Sequence, residues 1–298
     1  MGFCIQDNNL IIDDSDIISL RDIYYSGQVF RWFDLKNEKY AIVSFDKSCV
    51  AERKDRTIIL KDNENNYDYW INYFNLNTNY EKEIKDKLFS LNDPFLNKAV
   101  KYSPGMRILK QEIFETIISF IISANNNIIR IKKNIEDICK ILDDPIVKLD
   151  KNTYFRFPSP EELSKFSLNE LNSIKLGYRA SYVKSTADLI AHGEFDIEKL
   201  KLMSTEDAKK YLCNLTGVGP KVADCILLFS MSRYDVFPVD TWVKKIMHNH
   251  YGTDLKASVK SLRSEGQMRF GNLCGVAQQY LFYYERAESS ATFTPDND

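Results

Sequence analysis

The stretch from Asn214 to Cys225, Asn-Leu-Thr-Gly-Val-Gly-Pro-Lys-Val-Ala-Asp-Cys, constrains this chain more than any other. Gly217 and Gly219 flank a single valine. Glycine tolerates positive φ, so the pair predicts a tight turn that a residue with a Cβ would hold less easily. Pro220 follows at once, and proline suits the first position of a helix, where its missing N–H costs nothing. The spacing therefore predicts a helix from Pro220 carrying Val222, Ala223, Ile226, Leu227 and Phe229. Before the turn, Ser204 caps a second predicted helix with acids in its first turn. The unit is helix, glycine hairpin, helix. Its unpaired backbone N–H groups make a ready phosphate site around Gly217 and Gly219.

Lys221 falls in the first turn of the second helix. A helix N-terminus disfavours a cation there, which predicts an amine more easily made neutral. Cys225, at i+4, shares its face. Farther on, Asp240 precedes another helical pattern and is expected to cap it. Alone, Lys221 would be a solvated surface lysine and Asp240 a plain cap. Together, Leu215 to Lys221 followed by Pro238-Val-Asp240 resemble the helix-hairpin-helix glycosylase superfamily, with its Gly/Pro-rich loop and its aspartate. That resemblance makes Lys221 and Asp240 the expected catalytic pair.

Composition narrows the partners. The chain has 298 residues, 44% hydrophobic and 28% charged, with net charge −2. It can bury a sizeable core. Its charge argues against a broadly basic nucleic-acid surface, but hairpin amides bind phosphate without net cationic charge, so a locally basic face is expected. No apolar run is long enough to span a bilayer, and no basic-start signal peptide is seen, so no membrane partner is expected. The six cysteines are scattered without a Cys-x-x-Cys pair. That disfavours zinc and predicts reduced thiols in an intracellular protein, cytoplasmic if the source is bacterial. Only Cys274 lies beyond Cys225, which disfavours the iron–sulfur branches of the superfamily.

The N-terminal region reads as strands joined by short polar turns: Gln28–Phe33, Tyr40–Phe45, Cys49–Arg53 and Thr57–Leu60. That pattern implies an antiparallel sheet. Residues 1–25 are mixed, with apolar pieces at Leu10–Ile12 and Ile17–Leu20. Leading into the first expected strand, Ser26-Gly-Gln-Val-Phe-Arg-Trp32 resembles the Ser-Gly-Gln-x-Phe-Arg-Trp motif of 8-oxoguanine DNA glycosylases. The resemblance implies that the Gly27 carbonyl accepts the N7–H that 8-oxoguanine has and guanine lacks. A buried acceptor left unpaired is costly, so such a contact discriminates well. The plain alternative is a turn glycine at a strand start.

From about Tyr67 the period turns helical. Asp93 and Pro94 open one helix, and Lys110–Ala124 forms an apolar helix central to the core. Ser159 and Ser167 start two more, the second with a capping box. The Asn125-Asn-Asn-Ile-Ile-Arg130 loop resembles the family loop in which Asn125 would fill the gap left by the extruded base and Arg130 would read the opposite cytosine. For Arg130, a solvated start to the helix Arg130–Lys133 is an equal alternative. Leu176-Gly-Tyr178-Arg179-Ala-Ser-Tyr182 resembles the family segment whose tyrosine wedges into the base stack while its arginine meets the orphaned cytosine. Gln278 and Phe282 lie one turn apart on one helix face. The resemblance gives Gln278 the Watson–Crick edge of the flipped purine, Phe282 one ring face and Cys225 the other. Core packing is the plain alternative for Phe282. Residues after Glu285 read as a frayed polar tail.

The resemblance runs from Ser26 to Phe282. It implies an α+β fold, with an N-terminal antiparallel β-sheet domain (1–98) followed by a mostly helical domain (99–298, tail from about 286) containing the helix-hairpin-helix. It implies a base-excision-repair enzyme, a bifunctional DNA glycosylase and apurinic-site lyase. The enzyme would flip 8-oxoguanine from duplex DNA opposite cytosine, form a Schiff base through Lys221, and nick the strand by β-elimination. A monomer is expected. No redox cofactor or catalytic metal is implied. The backbone carbonyls of Cys213, Leu215 and Val218 would hold a structural cation against a phosphate. Trp242 stands where eukaryotic relatives usually carry a DNA-contacting histidine, which puts that contact in question. An alkylated-base glycosylase of the same fold and a non-catalytic DNA-binding protein are the alternatives. The first lacks the hairpin lysine and the second needs no Lys221–Asp240 pairing.

Overall fold

A computed structural model of the chain describes residues 2–13, 18–149 and 152–289. Six antiparallel strands form the N-terminal sheet: Phe3–Gln6 (β1), Asn9–Asp13 (β2), Trp32–Asp34 (β3), Lys39–Ser44 (β4), Lys47–Lys54 (β5) and Thr57–Lys61 (β6), in the order β1-β2-β6-β5-β4-β3. Three of the expected strands are present within a few residues. The first two strands were not foreseen. They close through Asp7 and Asn8, at φ 49° and 56°, the double positive φ of a type I′ hairpin turn. The sheet's inner face (Leu10, Ile12, Trp32, Ile58, Leu60) packs on Trp70, Tyr73 and Phe74.

The run Gln28–Arg31 is not a strand, contrary to its alternation. Its buried polar side chains hold it instead. Gln28 Nε2 donates to Ser26 Oγ at 3.0 Å and to the Arg107 carbonyl at 2.9 Å, and Gln28 Oε1 accepts from Leu109 N at 3.0 Å. Arg31, 2% exposed, bonds Glu136 at 3.0 Å and the Phe155 carbonyl. Side chains that carry the polar partners of a segment compete with a strand ladder.

The helices used below are Leu20–Tyr25 (α1), Pro94–Tyr102 (α2), Ile113–Ser123 (α3), Ile128–Leu142 (α4), Arg179–Ala191 (α5), Thr205–Leu212 (α6), Pro220–Met231 (α7), Thr241–Tyr251 (α8), Val259–Phe270 (α9) and Cys274–Ser289 (α10). A two-stranded ribbon, Pro145–Leu149 with Asn152–Phe155, follows α4. Asp93 caps α2 by accepting from Phe95 and Leu96 N–H. The expected division after residue 98 falls inside α2, whose Leu96, Ala99 and Val100 lie in the helical core. Ser159 and Ser167 both close full capping boxes. The strongly apolar α3 is buried nearly throughout and packs on α7, while α10 packs on α2, α8 and α9. The expected frayed tail is helix as far as Ser289, and the rest of it lies outside the described residues. Among the described residues no helix is long and apolar enough to cross a membrane.

Candidate active site

The hairpin forms as its glycines dictate. Gly217 has φ +87°, and Gly219 is the extended residue that precedes Pro220 at the start of α7. A Cβ on Gly219 would meet nothing within 4 Å, so that side of the turn is open to an approaching group. The two hairpin helices are braced behind the turn. Asp224 is fully buried between Lys209 Nζ of α6 at 2.7 Å and Arg263 Nε of α9 at 2.8 Å. A buried carboxylate with two cations resists displacement, because losing one partner strands a charge. The brace fixes α7 three residues after Lys221.

Lys221 is only partly exposed, and its amine lies 5.8 Å from the centre of the Phe120 ring. It hydrogen-bonds Cys225, one turn on, and feels the charge of Asp240. Asp240 caps α8, accepting Val243 N–H at 2.8 Å. The expectation of a readily neutralised amine is overturned. Cys225 chiefly, and Asp240, hold the Lys221 amine above the ordinary lysine range, while burial acts the other way. Both partners lie in the next turn or the next helix, and they outweigh the effect of burial. Burial pushes the Cys225 thiol up to about 11.

Gly27 (φ +81°) lies against Phe282, which stands one turn beyond Gln278 on α10. A Cβ on Gly27 would stand 3.6 Å from Phe282 Cε1. Gln279 Nε2 holds the loop from below through the Ser26 carbonyl at 2.7 Å. Gln278 is 5% exposed, and its Oε1 has no hydrogen-bond partner. Buried polar atoms are almost always paired, so this orphan oxygen can accept a hydrogen bond that the protein itself does not supply. One residue of this cluster escaped the sequence reading. Arg286 lies 5.2 Å over the Phe282 ring, and its Nη1 is 3.5 Å from the Cβ position of Gly27. Its spacing of four from Phe282 was the available signal, lost because the segment reads as polar tail.

The remaining predicted residues form a separate edge. Arg179 of α5 is 5% exposed and donates to the Ala124 carbonyl through Nε (2.9 Å) and Nη2 (2.6 Å), and to the Asn125 carbonyl through Nη2 (2.7 Å). Asn125 is held at φ 50°. Tyr178 is 52% exposed, with the Arg179 guanidinium 4.5 Å over its ring. Arg130 donates to the Lys175 carbonyl at 2.9 Å. The asparagine loop and the tyrosine turn are thus one locked unit, with an aromatic ring standing out of it. Trp242 carries Lys245 5.2 Å over its ring, so this edge of α8 is aromatic and cationic.

A lysine behind a glycine hairpin, an aspartate at the next helix cap, and a buried glutamine one turn from a half-buried phenylalanine are the arrangement expected of a base-excision enzyme. Residues 118–270 match the HhH-GPD superfamily of base excision DNA repair proteins. Residues 9–117 match the 8-oxoguanine DNA glycosylase N-terminal domain. A probable N-glycosylase/DNA lyase of Methanothermobacter thermautotrophicus is 34% identical over 68% of this chain and 71% of its own. The N-glycosylase/DNA lyase of Saccharomyces cerevisiae is 32% identical over 86% of this chain and 74% of its own. The Clostridium acetobutylicum 8-oxoguanine glycosylase/lyase, solved with duplex DNA containing cytosine opposite 8-oxoG, superposes with a TM-score of 0.89 at 36% identity, covering 97% of this chain and 99% of that one. The chain belongs to the 8-oxoguanine DNA glycosylase family of the helix-hairpin-helix superfamily, and it is a bifunctional DNA glycosylase and DNA lyase.

Proposed function

We propose that this enzyme removes 8-oxoguanine paired with cytosine in duplex DNA, acting as a monomer through a Schiff base on Lys221. The observations that support the reading are Lys221 one turn from Cys225 at the start of α7, within reach of the Asp240 charge, and a buried Gln278 acceptor that has no partner. The lesion leaves the stack because its C1′ is out of reach inside it. Gln278 bonds its Watson–Crick edge, Phe282 and Cys225 cover its faces, and the Gly27 carbonyl accepts N7–H. Neutral Lys221 attacks C1′ and the base departs. The amine and the opened sugar form an imine, and loss of a proton from C2′ expels the 3′ phosphate. Asp240 stabilises the positive charge that develops on the sugar.

Tyr178 fills the stack beside the gap and Asn125 occupies the vacated place. Arg130 and Arg179 stand near the estranged cytosine, whose exposed edge offers acceptors to a guanidinium. Gly217 and Gly219 place backbone N–H groups against a phosphate, and Trp242 with Lys245 flanks it. The Leu215 carbonyl already accepts Val218 N–H at 3.0 Å and keeps one lone pair. With the carbonyls of Cys213 and Val218 it makes an oxygen set suited to a hard cation, at the negative end of α6.

The test is base release from duplexes with 8-oxoguanine opposite each of the four bases. Release fastest opposite cytosine supports the reading. Equal release from all four overturns the opposite-base role of Arg130 and Arg179.

A further inference from the structure

Helix α10 presents Gln278, Phe282 and Arg286 at i, i+4 and i+8, on one face. The span from first to last is about 12 Å along the helix at 1.5 Å per residue. A purine lying across this face, stacked at Phe282, presents opposite edges to its two ends. Gln278 stands at one end. At the other, three groups converge on one spot: the Gly27 α-carbon, Phe282 Cε1 and Arg286 Nη1, the last two 3.6 and 3.5 Å from the position of a Gly27 Cβ.

Arg286 interacts electrostatically with Asp240, but no hydrogen bond occupies the guanidinium nitrogen that faces Gly27. Its Nη1 is buried with no hydrogen-bond partner, and its guanidinium stacks over Phe282. The residue also borders a cavity of about 190 Å³ shared with Arg21, Asp22, Tyr25, Tyr102 and Tyr283, so it is not packed in on every side. Arginine stays charged and offers donors only. A buried guanidinium donor without an acceptor is costly, and a ligand that brings the acceptor recovers that cost.

We infer that Arg286 is a base-contacting specificity residue whose Nη1 donates to the C8 carbonyl oxygen of the flipped 8-oxoguanine. The inference rests on the proposed function, which places the N7–H at Gly27. N7–H and the C8 oxygen are neighbours on the oxidised base, so a carbonyl acceptor and a guanidinium donor side by side match that edge. Guanine has neither group. It carries C8–H, which leaves Nη1 unmet, and an N7 lone pair, which faces the Gly27 carbonyl. The face of α10 thus reads both ends of the base with the stacking ring between them.

The experiment compares wild type with Arg286→Met and Arg286→Lys on two duplexes, one with 8-oxoguanine opposite cytosine and one with an abasic site in its place. Single-turnover base release is measured on the first and borohydride trapping on the second. Arg286→Met is expected to slow 8-oxoguanine release about 10- to 100-fold, the loss of one charge-assisted hydrogen bond. Abasic trapping should change by less than about twofold, because no base is present to contact, and Arg286→Lys should recover part of the release. Equal losses on both duplexes would overturn the inference and place Arg286 on phosphate or on Asp240. Unchanged release in Arg286→Met would overturn it too. No release by wild type would overturn the proposed function itself, which separates the two failures.

Discussion

Gly217 lies against the ring of Tyr182: a Cβ on the glycine would stand 2.5 Å from ring carbon Cδ2. The contact joins the hairpin to α5, the helix that begins with Arg179 just after Tyr178. The glycine hairpin and the Tyr178 turn, proposed to hold a phosphate and to wedge into the base stack, are therefore joined by one contact. Gly217→Ala forces both a positive φ on a residue with a Cβ and a clash with an aromatic ring. It should destabilise the protein by about 2 kcal/mol. It should also weaken duplex binding by more than that loss of stability explains. Thermal melting and an equilibrium binding titration check both. A variant with wild-type melting and affinity would show the contact to be slack.

Arg179 holds the asparagine loop, and the proposed function gives it the estranged cytosine as well. Its removal leaves the Asn125 carbonyl without its donor and the Ala124 carbonyl with only the Tyr178 hydroxyl at 3.4 Å. Arg179→Ala should raise the Kd for a lesion duplex by roughly tenfold or more. Its preference for cytosine should fall at the same time. Binding titrations against cytosine and adenine opposite the lesion measure the two effects. Loss of affinity with preference intact would confine Arg179 to holding the loop.

The Lys221 amine must be neutral to attack, and its neighbours keep it above the ordinary lysine range. The neutral fraction therefore rises with pH through the neutral and mildly alkaline range, and single-turnover base release should rise with it, approaching tenfold per pH unit. Asp240→Asn removes one of the groups that raises the amine. Its profile should shift to lower pH even as its maximal rate falls. A flat wild-type profile between pH 6.5 and 8.5 would mean that lysine ionisation does not limit the step.

The hairpin was legible because backbone constraint is local. Glycine, proline and N-cap residues act within a turn of themselves, and Gly217, Pro220, Ser204 and Asp240 all behave as their neighbours in sequence require. Gln28–Arg31 was misread because its alternation is real but its polar side chains bond Arg107, Leu109 and Glu136, all distant in sequence. Lys221 was misjudged in the same way. The helix terminus is visible in sequence, but the balance of Cys225, Asp240 and burial appears only once the chain is folded. Arg286 escaped because a helix continuing to Ser289 looks, residue by residue, like a tail. Only its burial beside Phe282 and Gly27 separates the two.

The most direct test of the account is borohydride trapping on a duplex with one 8-oxoguanine opposite cytosine, comparing wild type with Lys221→Gln. A covalent adduct with wild type that vanishes in the variant, together with base release, is the predicted result. Base release by wild type without any trapped adduct, or an adduct that survives in Lys221→Gln, would contradict Lys221 as the nucleophile.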